Sequence, residues 1–163
     1  MQISVELKVP NVPLFDPAKA QAVMAEETRS FMNGAVLMFQ GAIVPLAPIN
    51  VGALRQSIQT SVTGTNADIT GRVFSPLAYA VPVEEGSRPH WPPPGPILLW
   101  VTRKLGKTGA EARSVAFLVA RKISRQGTPA FKFFARGIAA TTPRVEALWA
   151  STGARIVKRL GGS

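Results

Sequence analysis

The chain has 163 residues, which suits one domain, or one domain with an appended arm, and lets about 70% of the unfolded surface be buried without a covalent staple. Hydrophobic residues at 46% against charged residues at 17% argue against disorder over most of the length, the lack of cysteine excludes disulfides and thiolate chemistry, and a single histidine, His90, excludes a multi-histidine metal site. The formal charge of +10 is unevenly placed: residues 1–85 carry five basic against seven acidic side chains, and residues 86–163 carry fourteen against Glu111 and Glu146 alone, so the basic half calls for a polyanion or an acidic protein surface as neighbour.

Residues 2–9 alternate Ile3, Val5, Leu7 and Val9 with polar side chains, the period of a half-buried strand. Asp16-Pro17 is an N-cap followed by proline at the first helical position. A helix of about 40 Å is predicted from there to Val44, where Pro45 stops it; Met24, Phe31, Ala35, Leu37 (or Met38) and Phe39 give it an apolar stripe. Gly34 and Gly41 weaken its second half unless something packs closely on them. After a loop at 47–50, strands are predicted over Ser57–Gly64 and Asp68–Ser75, joined by a Gly64-Thr65-Asn66 turn, and over Tyr79–Glu84, where Pro82 marks an edge. Residues 86–96 carry five prolines and read as a stiff exposed loop. Helices are then predicted over Ile97–Leu105, from Thr108 with Glu111 completing a capping box and Val115, Leu118, Val119 and Ile123 on one face, and from Thr142-Pro143 to Gly161.

The order β-α-β-β-β followed by helices predicts an α+β fold: an antiparallel sheet of about four strands packed on one long helix, with C-terminal helices after it. Residues 1–140 form the expected domain and 141–163 a helical extension. No stretch reads as a targeting signal or as an apolar run of the roughly 20 residues that would cross a bilayer, so the expected setting is a cytoplasm, with no membrane partner.

Little in the sequence points to catalysis. Glu84 and Glu85 are adjacent, and neighbours in a strand face opposite ways. His90 lies in a proline-rich loop, and no nucleophile elbow, P-loop or dinucleotide fingerprint is present. The expectation is a non-enzyme without cofactor or metal. Basic residues Arg113, Arg121, Lys122, Arg125, Lys132 and Arg136 beside Phe131, Phe133 and Phe134 raise an alternative, a basic nucleic-acid-binding module.

Three stretches together resemble a known family. Ala47-Pro48-Ile49-Asn50-Val51-Gly52-Ala53-Leu54-Arg55-Gln56-Ser57-Ile58 is similar to the A-P-x-(D/N)-T-G-x-L-R-x-S-I signature of the tail-component family of long-tailed bacteriophages. Tyr79-Ala80-Val81-Pro82-Val83-Glu84-Glu85-Gly86-Ser87 resembles its Y-A-x-x-V-E-x-G-T segment. Residues 116–131, with Ala120-Arg121-Lys122-Ile123 and Gly127-Thr128-Pro129, resemble A-x-x-I-A-R-K-I-x-x-x-G-T-P. Val51 and Ser87 stand where the family has threonine. The resemblance implies a virion structural protein of the phage neck: a tail-completion or head–tail joining protein, made in the host cytoplasm, that forms a homo-oligomeric ring, commonly a hexamer, around the DNA channel. Its implied neighbours are the tail tube or tail terminator protein, the head-connector ring, and double-stranded DNA passing without sequence-specific contact. Arg55, Glu84, Arg88, His90, Trp91, Arg121, Lys122 and Arg125 are the expected contacts to a subunit or neighbouring ring, with Arg55 free to pair with a carboxylate such as Glu84.

Overall fold

The computed structural model describes residues 16–49, 52–65 and 68–161. Helix α1 spans Pro17–Leu46, a short α2 spans Ala53–Ser57, and strands β1 (Gln59–Thr65) and β2 (Asp68–Phe74) form a hairpin. The chain continues as α3 (Ala80–Glu85), α4 (Pro94–Leu105), α5 (Gly109–Gln126) and α6 (Phe133–Arg159). Helices hold 69% of the described residues, and the sheet has two strands among them. The expected α+β fold with a sheet of about four strands is therefore corrected to a mostly helical one. The strand predicted at residues 2–9 lies outside the described residues.

The strand predicted over Tyr79–Glu84 is replaced by a helix, and the cause is local. Residues 80–85 form α3, and Pro82 stands at its third position, where the backbone N–H has no intrahelical partner to lose. Alternation over six residues cannot separate a short helix from a strand, and among the described residues no strand pairs with the segment.

α1 is the axis of the body. Asp16 Oδ1 accepts from Ala18 N–H at 2.9 Å, which caps the start as predicted, and the helix runs through Pro45 to end one residue later, with the Ala47 N–H reaching Ile43 O and Val44 O. α6 packs antiparallel along it: Phe133 and Gly137 meet α1 near Ile43, Leu148 stands over Gly34, Trp149 meets the Phe31 ring edge-on at 4.8 Å, and Arg155 and Arg159 reach back to Glu27. A Cβ on Gly137 would lie 2.6 Å from Ile43 Cγ1, so glycine sets how closely the two helices approach. The β hairpin lies on α1 as well. Gly71 faces Val36 and Met32, Gln40 Nε2 donates to Ile58 O at 2.7 Å, and Arg29 donates to Gly64 O near the hairpin tip.

The core where these elements meet holds Ile43, Ala47, Leu54, Ile58, Ala80 and Phe133. α6 begins at Phe133, ten residues before its predicted start, and carries Pro143 inside it. The helix therefore runs unbroken through residues 140 and 141. Burial of Phe133, which is 0% exposed, and the cap described below hold the first turns in place against the helix cost of an internal proline, about 3 kcal/mol.

α4 and α5 pack on each other through Val101, Ala112 and Ala116, with Ile97, Leu98, Trp100 and Val115 around them. The expected capping box does not form: Thr108 is the N-cap residue without a side-chain bond, and Glu111 instead pairs with Lys107 at 2.6 Å. The alanines of α5 turn inward, so Leu118, predicted on the buried face, faces solvent.

Candidate functional site

The first two family-like stretches and the last residues of the third, 127–131, meet around the junction of α1, α3 and α6. Gly52 takes φ 77°, a left-handed turn into α2 that lets Leu54 enter the core. One turn is then enough to aim Arg55 back at the end of α1, where its Nε donates to Ala47 O at 2.8 Å and its Nη2 to Pro45 O at 2.6 Å. A guanidinium at a helix C-terminus satisfies unpaired carbonyls and meets the negative end of the dipole.

Glu84, at the end of α3, does the converse for α6. Its Oε2 accepts from Phe134 N–H at 2.8 Å and its Oε1 from Ala135 N–H at 2.9 Å, while its backbone carbonyl accepts from Lys132 N–H at 3.0 Å. Arg55 and Glu84 form no ion pair; they cap two different helices. The pairing expected from the sequence is thus corrected: each charge is consumed by a helix terminus.

Beyond α3 the chain forms a neck. Ser87 and Thr128 make an antiparallel bridge, Ser87 N–H to Thr128 O at 3.0 Å and Thr128 N–H to Ser87 O at 3.1 Å, and their hydroxyls meet at 2.9 Å. Gly86 and Gly127 flank the bridge with φ 80° and 71°, and a Cβ on Gly127 would lie 1.9 Å from Ser87 O. These glycines are required by the close approach of two backbones. The neck carries the α4–α5 hairpin, residues 94–126, as an arm.

The remaining expected contact residues lie on the neck and arm. Arg88 is exposed, and its carbonyl oxygen lies 2.9 Å from His90 Nδ1, which donates to it. His90 also borders an apolar groove of about 310 Å³ between Tyr79, Pro82, Ile97, Ile123 and Phe131. Trp91 stands edge-on to the Phe117 ring of α5 at 6.1 Å between centroids. Arg121, Lys122 and Arg125 line a shallow cleft of about 280 Å³ with Leu118 and Gln126, and none of the three has a carboxylate within ion-pair distance among the described residues.

Two features escape the sequence reading. Phe117 and Leu118 join the basic residues on the solvent face of α5. Glu27, buried between α1 and α6, accepts from Arg155 Nε at 3.0 Å and Arg159 Nη1 at 2.9 Å; its hydrogen bonds from Arg159 and Arg155 hold its carboxyl below the usual glutamate range. The signal for Glu27 is available in the sequence: it sits at helical spacing between Val23 and Phe31, a carboxylate on an apolar stripe.

Among the described residues no three His, Asp or Glu side chains gather as metal ligands, and no helix is long and apolar enough to cross a membrane. Comparison with family models, curated proteins and solved structures gives no match.

Proposed function

We propose that this chain is a structural subunit of the neck of a long-tailed bacteriophage virion, a tail-completion or head–tail joining protein that assembles into a ring around the DNA channel. The observation that carries the reading is the amount of large apolar side chain left on the surface of a small body. Met24 and Leu37 on α1, Val81 on α3, and Trp149 and Val157 on α6 are each more than half exposed. Monomers leave single apolar residues in water, but this many large ones spread over three helices of a small body suit surfaces that other subunits cover. A ring suits them, because head-to-tail contacts join two different faces of the same chain and close by rotation. The resemblance of residues 47–58, 79–87 and 116–131 to the phage family supplies the identity of the assembly, and those stretches hold the caps and the neck that position α1, α6 and the arm.

Size-exclusion chromatography with light scattering, followed by native mass spectrometry, tests this. A closed oligomer, with a hexamer as the expected form, or a stable complex with tail-tube, tail-terminator or head-connector subunits supports it. A strict monomer that binds none of them overturns it. The unpaired cations of α5 favour one second reading, a nucleic-acid-binding module, which requires duplex or single-strand binding that weakens by about 0.7–0.9 log units per log unit of salt for each phosphate contacted; absence of binding at 50 mM salt ends it.

A further inference from the structure

The arm carries a charge that the rest of the chain cannot answer. Residues 86–126 hold eight basic side chains against Glu111 alone, and Glu111 is engaged by Lys107. On the solvent face of α5, Phe117 and Leu118 are 57% and 60% exposed, and Trp91, 59% exposed, extends them from the neck loop. Arg121, Lys122 and Arg125 border this apolar centre and form the cleft beside Leu118. An aromatic and aliphatic centre with a charged rim is the composition of a protein-docking surface.

The occupant is not a second copy of this chain. Of its nine acidic residues, Glu26 and Glu27 hold Arg155 and Arg159, Glu84 caps α6 and Glu111 holds Lys107. Among the described residues the others are scattered singly: Asp16 before α1, Asp68 on β2, Glu85 on α3 and Glu146 on α6. Among the described residues no acidic patch is left to face the arm. A DNA duplex would answer the cations, but its backbone would set Trp91, Phe117 and Leu118 against hydrated phosphates, where contacts are made by charge and hydrogen bonds.

We propose that the solvent face of α5, with Trp91, docks an acidic amphipathic segment of a different protein: apolar side chains on Trp91, Phe117 and Leu118, carboxylates on Arg121, Lys122 and Arg125. This goes beyond the ring reading and does not depend on it, since a monomeric chain presents the same face.

Fluorescence anisotropy on the full chain at 50 mM salt tests it with three labelled probes: an 18-residue helical peptide bearing leucine on one face and glutamate on the others, an 18-residue oligoglutamate, and a 20-base-pair DNA duplex. The amphipathic peptide binds at least tenfold more tightly than oligoglutamate. Phe117→Ser with Leu118→Ser removes that advantage, and Arg121→Gln with Arg125→Gln weakens both peptides at least tenfold. Neither pair of positions packs on α4, so thermal melting matching the wild type identifies the variants as folded. The proposal is overturned if the amphipathic peptide does not bind, if the serine variant binds it as the wild type does, or if the duplex binds more tightly than either peptide. The oligomeric state measured for the ring reading stands apart from all of these outcomes.

Discussion

Replacing Glu84 by alanine removes a carboxylate that accepts two backbone N–H bonds, at 2.8 and 2.9 Å, from the first turn of a 27-residue helix. Loss of a capping side chain costs about 0.5–2 kcal/mol, and a carboxylate adds the attraction of charge to the helix dipole, about 0.3–1 kcal/mol near a surface. Glu84 is half-buried, so neither contribution is at its maximum, and about 2 kcal/mol is the expected total. For a chain of this size that lowers Tm by roughly 4–8 °C. Glu84→Gln keeps one acceptor and loses the charge, so it falls between alanine and wild type. Exposed Glu85 is the control: Glu85→Ala stays within about 0.5 kcal/mol. Thermal melting followed by circular dichroism at pH 7 reads all three. A cycle with Arg55→Ala adds the second check. Because Arg55 reaches Ala47 and Pro45 carbonyls and Glu84 reaches Phe134 and Ala135, the two losses add with a coupling under about 0.5 kcal/mol. Glu84→Ala melting with Glu85→Ala, or a coupling above about 1 kcal/mol, refutes the assignment of the two charges to separate helix ends.

Three further outcomes are expected. Glu27 binds fewer protons folded than unfolded, because Arg159 and Arg155 lower its pKa; the stability it contributes is complete above the ordinary glutamate value near 4.3 and is lost as the pH falls below it, so Glu27→Gln flattens the drop in Tm between pH 5 and 3, and an unchanged slope refutes this. Gly41 has open space where a Cβ would go, so Gly41→Ala stabilises α1 by up to about 1 kcal/mol, whereas Gly137→Ala drives a methyl into Ile43 and costs about 1–3 kcal/mol in urea unfolding; the same sign for both would sink the close-approach argument. Gly127→Ala, strained by its φ of 71° and by Ser87 O, breaks the neck bridge, so amide hydrogen exchange at Ser87 and Thr128 accelerates while that of β1 and β2 does not.

What the sequence disclosed of the fold depended on how far apart the deciding residues lie. The start of α1 was legible because Asp16, Pro17 and Ala18 are neighbours, and the β1–β2 hairpin because Gly64 and the alternation on either side of it act within one turn. The start of α6 was not. Its cap comes from Glu84, fifty residues upstream, and its anchor, Phe133, enters a core built by α1, α2 and α3. With both signals remote, Thr142-Pro143 was the strongest local cue, and a proline that looks like a helix start is tolerated inside a helix held at both ends by tertiary contacts.

The candidate site divides along the same line. Charge is a property of composition, so the excess of cations after residue 86 was visible at once, together with Arg121, Lys122 and Arg125. The apolar half of the patch was hidden by a symmetry of the helix. On α5, Val115, Val119 and Ile123 lie on one flank and Leu118 stands apart from them by about a quarter turn; a stripe drawn through all four is as regular as one drawn through Ala112, Ala116 and Val119. Periodicity supplies candidate faces, and the neighbour chooses among them. α4 brings Val101, with Ile97 and Trp100 beside it, and side chains of that bulk leave room only for alanine opposite, so Ala112 and Ala116 turn in and Phe117 and Leu118 turn out. The surface that the arm presents is therefore set by the side chains of α4, which never touch it.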